Sequence, residues 1–87
     1  MTTETPQFEA KRFGFHFQVF PDRVEVREKV GFKNKSATIL VRQITGVTVD
    51  GIGGSKLKIA TAGESYEYTI GRHAEQAKAA ILAHLQP

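Results

Sequence analysis

The sequence predicts a mainly β domain of the α+β class, about six short antiparallel strands followed by one C-terminal helix. Three observations carry this. Apolar residues recur with period two over most of residues 13–70, two pairs of segments match face to face across short turns, and the period switches to 3.6 after Gly71. With 87 residues, the chain has room for one domain and a modest core.

Residues 1–12 are rich in Thr, Glu and Lys and read as a disordered leader, so the domain is expected over 13–87. Phe13, Phe15, Phe17 and Val19 then alternate with Gly14, His16 and Gln18, as a half-buried strand requires. Pro21-Asp22 supplies a turn, and Val24 and Val26 alternate with Arg23, Glu25 and Arg27. In that register Val19 faces Val24 and Phe17 faces Val26, while Gln18 meets Glu25 and His16 meets Arg27 on the other face. "GFKNK" (31–35) reads as a polar turn, "ATILVRQI" (37–44) as a third strand and "TGVTVD" (45–50) as a fourth with a bend or bulge at Gly46.

"KLKIAT" and "SYEYTI" form a second hairpin around Ala62-Gly63. Pairing Ala60 with Ser65 sets Ile59 against Tyr66 and Leu57 against Tyr68 on the apolar face, and Lys58 against Glu67 on the polar one. After Gly71, Ala74, Ala77, Ile81, Leu82 and Leu85 form one stripe of an amphipathic helix of about 13 residues, with Glu75, Lys78 and His84 away from it. Glu75 suits the positive end of the helix dipole, and Pro87 closes the chain.

Chemical signatures are sparse. "DGIGGSK" resembles a phosphate loop in composition only. Its spacing is not G-x-x-x-x-G-K-[ST], Leu57 stands where Ser or Thr would hold magnesium, and the segment after it alternates as a strand rather than opening a helix. Lys56 occupies the third glycine of a dinucleotide fingerprint. The loop is therefore read as a strand connection. His16, His73 and His84 form no ligand pair, and no serine or threonine has a nucleophile setting, so no catalytic residue, metal or cofactor is expected. With no cysteine, disulfides and thiolate metal sites are excluded.

The formal charge of +3 is uneven. Residues 27–58 hold seven basic side chains (Arg27, Lys29, Lys33, Lys35, Arg42, Lys56, Lys58) against Glu28 and Asp50, and the rest of the chain is net acidic. No apolar run is long enough to span a bilayer, and residues 1–7 are polar and acidic where a signal peptide is basic and then apolar. A cytoplasmic protein is expected, peripheral at the inner membrane face if it meets lipid at all.

The run "FPDRVEVREKVGF…ATILVRQITGVTVDG…SKLKIATAGESYEYTIGRHAEQAKAAILAHL" resembles a bacterial pleckstrin-homology-like domain, over about residues 15–85. The resemblance rests on hydrophobic pattern and turn residues. It implies a bent antiparallel sheet or open barrel with the helix capping one end. The superfold normally has seven strands before its helix, which leaves the seventh either absent or in the leader. Such domains commonly bind proteins or self-associate, and catalyse nothing. Eukaryotic members that grip phosphoinositides use basic residues around the first inter-strand loop, where this chain has Pro21-Asp22.

Two function classes follow. The first is a non-enzymatic module that binds a protein partner or a second copy through a sheet edge, including a small regulator that occupies another protein's surface. The second is binding of an anionic surface, phospholipid head groups ahead of nucleic acid, with Lys33, Lys35, Arg42, Lys56 and Lys58 as candidates. Lys33 and Lys35 are expected in one loop, and Lys56 and Lys58 on the outward face of a strand. Without an exposed aromatic series for base stacking, nucleic acid is the weaker ligand.

Overall fold

A computed structural model of the chain describes residues 5–12 and 14–85. Among the described residues seven strands precede one helix: β1 (Phe8–Arg12), β2 (Phe15–Val19), β3 (Arg23–Val30), β4 (Lys33–Leu40), β5 (Ile44–Asp50), β6 (Lys56–Thr61), β7 (Ser65–Thr69) and α1 (Ala74–Leu85). They form two antiparallel sheets, β1-β2-β3-β4 and β5-β6-β7, which do not close into a barrel.

Both hairpins that the alternation predicted have the expected register. Phe17 pairs with Val26 and Val19 with Val24, and across the second hairpin Leu57 pairs with Tyr68 and Lys58 with Glu67. These faces meet in one core that includes Phe17, Val24, Val26 and Ile39 from the first sheet and Val47, Leu57, Ile59 and Tyr68 from the second. The ladder of β5 shifts register between Ile44 and Gly46, the bulge read at that glycine. The helix covers this core through Ala74, Ala77 and Ile81, all fully buried, and packs on β5, β6, β1, β2 and the turn before β5. Two alanines at the contact let the helix axis lie close to the strands.

The structure differs from the sequence reading at three places. Residues 8–12 of the expected leader form β1, which pairs with β2 so that Phe8 and Ala10 lie beside Val19 and Phe17 and pack on the core. Residues 1–4 of that leader lie outside the described residues, as do Phe13, set by the alternation at the head of the next strand, and residues 86–87.

The third strand begins at Lys33 rather than Ala37, because the preceding turn consists only of Gly31 and Phe32. Gly31 has φ +64° and opens a two-residue hairpin turn of the II′ kind, whose twist keeps the strands paired up to Val30 and Lys33. That strand ends at Leu40. A 3-10 turn at Val41–Gln43 carries the chain from the first sheet to the second, so 37–44 is not one continuous strand.

The third difference is His84. It lies seven residues after Ala77 and three after Ile81, on the buried side of α1, and its Nε2 is buried without a hydrogen-bond partner among the described residues.

Candidate functional site

The five cations singled out in the sequence fall into three separate places. Lys56 and Lys58 project from the polar face of β6. Lys58 Nζ lies 3.6 Å from Asp50 Oδ2 and 3.5 Å from Glu67 Oε2, and Lys56 Nζ lies 3.8 Å from Glu67 Oε1. This patch holds as many carboxylates as ammonium groups. The Gly51 N–H donates to Asp50 at 2.7 Å, and this bond, with Lys58 beside it, holds the Asp50 carboxyl below the usual carboxylate range.

The glycine-rich loop after Asp50 is a strand connection. Gly51 has φ +86°, and a Cβ there would lie 3.1 Å from Lys56 Cγ, so the chain can double back into β6 only with glycine at this position.

Arg42 belongs to the 3-10 turn and lines a shallow cleft with Pro21, Asp22, Val41 and His84. Lys33 and Lys35 lie toward the other end of β4, not in a loop as the sequence suggested. From Lys33 to the last residue of β4 the backbone runs roughly 23 Å. Arg42 and Lys33 therefore do not share one ligand. A second groove, between β1 and the start of α1, is lined by Glu9, Arg12, Phe15, Ile70 and His73. Glu9 accepts a hydrogen bond from the His16 imidazole, which draws its carboxyl below the ordinary value. No cluster of three His, Cys, Asp or Glu suited to a metal occurs among the described residues.

The most distinctive surface is the far half of the β3–β4 ribbon. Cross-strand partners align Arg12, Phe15, Glu28 and Lys35 in one row across the first sheet. Beyond that row the Lys29 N–H still donates to the Gly14 carbonyl at 2.7 Å, and the ribbon continues through the pair Val30–Lys33 to the turn. Val30 is 52% exposed and Phe32 fully exposed at 105%. Between residues 29 and 36 there are three lysines and no acid. None of Lys29, Lys33 and Lys35 is in an ion pair among the described residues. Lys33, Lys35 and Val30 share one face of the ribbon, and Lys29 lies on the other, because side chains alternate along each strand.

The sequence reading proposed Lys33 and Lys35 here. It passed over Lys29, Val30 and Phe32, whose signal is an apolar pair astride a glycine inside a basic run.

The free edge of β4 runs down the same ribbon. A two-residue hairpin begins with a hydrogen-bonded pair, here Val30–Lys33, and hydrogen-bonded and open pairs then alternate. Asn34, Ser36 and Thr38, opposite Lys29, Arg27 and Glu25, are thus the open-pair residues, whose N–H and C=O point away from β3. The Lys29 N–H directed at Gly14 rather than at β4 agrees with this phase. β4 ends the order of its sheet, and residues 33–36 are exposed on both faces.

Comparison of the chain with protein-family models, with curated proteins and with solved structures returned no match.

Proposed function

We propose that this chain is a non-enzymatic binding module of the pleckstrin-homology-like kind, which takes a protein partner by strand addition along the free edge of β4. The observation that carries the reading is the row of outward N–H and C=O groups at Asn34, Ser36 and Thr38, on one of the two longest strands of the fold. The pleckstrin-homology-like architecture is supported by seven strands before a terminal helix, the number that the sequence resemblance implies. Lys33 and Lys35 flank the outward row and favour a partner strand that carries acidic residues. A second copy of the chain is the other occupant of the same edge. The reading sets the module in a bacterium, as the resemblance implies, and in the cytoplasm, as the polar start of the sequence leads one to expect. No described helix is long and apolar enough to cross a membrane.

Ser36→Pro tests this directly. It removes one outward N–H while leaving the β3–β4 ladder intact, a position where an edge strand tolerates proline. Side by side, the wild type and S36P are examined by light scattering alone and by affinity capture. The expected result is a dimer or a captured partner for the wild type, lost in S36P at an unchanged thermal midpoint. A monomeric wild type whose captured proteins are also held by S36P would overturn the reading.

A further inference from the structure

We propose that the tip of the β3–β4 ribbon is a membrane anchor that enters the interface of a bilayer rich in anionic phospholipid. The inference uses the turn rather than the strand edge and stands independently of strand addition. Four other phenylalanines have described positions, and each is withdrawn from water. Phe17 and Phe20 are buried, and Phe8 and Phe15 pack on the core. Phe32 alone is fully exposed, at the apex of a turn, with Val30 beside it.

The layering of side chains along the ribbon follows the layering of a bilayer surface. Phe32 is outermost at the turn, Val30 and Lys33 form the closing pair one step behind it, and Lys29 and then Lys35 are set further back, with Lys29 on the opposite face. Two residue pairs and a turn project past the row of Arg12 and Phe15, and two pairs alone span about 7 Å. Apolar groups of interfacial segments enter to a depth of about 5–10 Å. At that depth the ammonium groups, on flexible stems, lie at the level of lipid phosphates. The backbone is prepared for the transfer, because the closing pair Val30–Lys33 satisfies its own N–H and C=O groups within the hairpin. A protein groove would need complementary charge mainly on the one face it touches. A plane of head groups uses cations on both faces of the ribbon, which is what this tip offers.

The chain has no tryptophan, so Phe32→Trp introduces a single reporter at the tip. F32W is mixed with vesicles of phosphatidylglycerol and phosphatidylcholine, or of phosphatidylcholine alone, across a salt series. On the anionic vesicles, emission is expected to shift to the blue and to be quenched by bromine placed on the lipid chains, the effect fading as salt rises. Binding of the protein by vesicle sedimentation is expected to fall about tenfold in Phe32→Ala. It should fall on the order of 100-fold when Lys29, Lys33 and Lys35 are all replaced by Gln, at roughly fivefold per charge. These positions are exposed, so the variants should keep the wild-type thermal midpoint.

Three results would each overturn the proposal. The first is unshifted emission with anionic vesicles at low ionic strength, whether or not the protein sediments with them. The second is equal binding to phosphatidylcholine alone. The third is a blue shift that grows with protein concentration in the absence of lipid, which would assign the tip to a second copy of the chain.

Discussion

Phe17 and Phe32 carry the same side chain to opposite environments, and the difference tests which contacts hold the molecule together. The Phe17 ring is fully buried, with the centroids of Tyr68, Phe8 and Phe15 at 5.9, 6.2 and 6.5 Å. Removing it leaves a cavity bounded by both sheets. Phe17→Ala should therefore cost roughly 3–5 kcal/mol of unfolding free energy in urea, a large part of what a domain of this size possesses. Phe32→Ala removes an equal volume from water and should stay within about 0.5 kcal/mol of the wild type. A comparable loss in both variants would contradict the exposure of the turn. Period two alone distinguished these residues only in part. Phe17 lies in an unbroken alternation and was legible as core, whereas Phe32 stands in phase with Val26 and Val30 but follows Gly31, so its destination depended on a turn geometry that alternation did not display.

At the scale of elements, legibility followed the clarity of alternation. The β2–β3 and β6–β7 hairpins were readable to the residue because each has a polar and an apolar face, and only one register superposes them. The first half of β4 was not readable. Lys33–Asn34–Lys35–Ser36 is exposed on both faces, so the strand exists through its pairing with β3 and has no apolar side to betray it. β1 was hidden for a related reason: Phe8 and Ala10 are the apolar residues of FEAKR on its inward side, with Arg12 beside them, within a charged segment. Its stability is tertiary, drawn from the ladder with β2 and from the Phe8–Phe17 contact. Deleting residues 1–12 should therefore lower the urea midpoint, with a loss on the order of 1.5 kcal/mol, the low end of the range for a phenylalanine side chain because Phe8 is half-buried. An unchanged midpoint would return this segment to the status of a dispensable leader. The separation of Arg42 from Lys33, which divided the candidate site, was equally beyond a linear reading, since it depends on the strand start at Lys33 and the turn at Val41–Gln43.

At the scale of the whole molecule, Tyr68 is where the two sheets meet. Its ring comes from β7 in the second sheet and lies 5.9 Å from Phe17 and 6.4 Å from Phe15 in the first, with Tyr66 stacked at 6.5 Å. Burial, with the Glu28 carboxylate nearby, pushes its phenol up to about 12 from an ordinary value of 10. The folded state therefore holds this proton more tightly than the unfolded chain does. Its contribution to stability is complete below pH 10 and is lost as pH rises through 10 toward 12, where the unfolded state releases the proton and the folded state must either keep it or bury a phenolate. Because the ring bridges both sheets, this loss should be felt as global unfolding rather than as local fraying. Tyr68→Phe keeps the ring and removes the titration. Urea unfolding measured between pH 9 and pH 12 should show the wild type losing stability more steeply than Y68F above pH 10, since the two chains differ in this hydroxyl alone. Parallel curves across that window would mean that the Tyr68 hydroxyl is not buried between the sheets, and would remove the contact that makes them one cooperative unit.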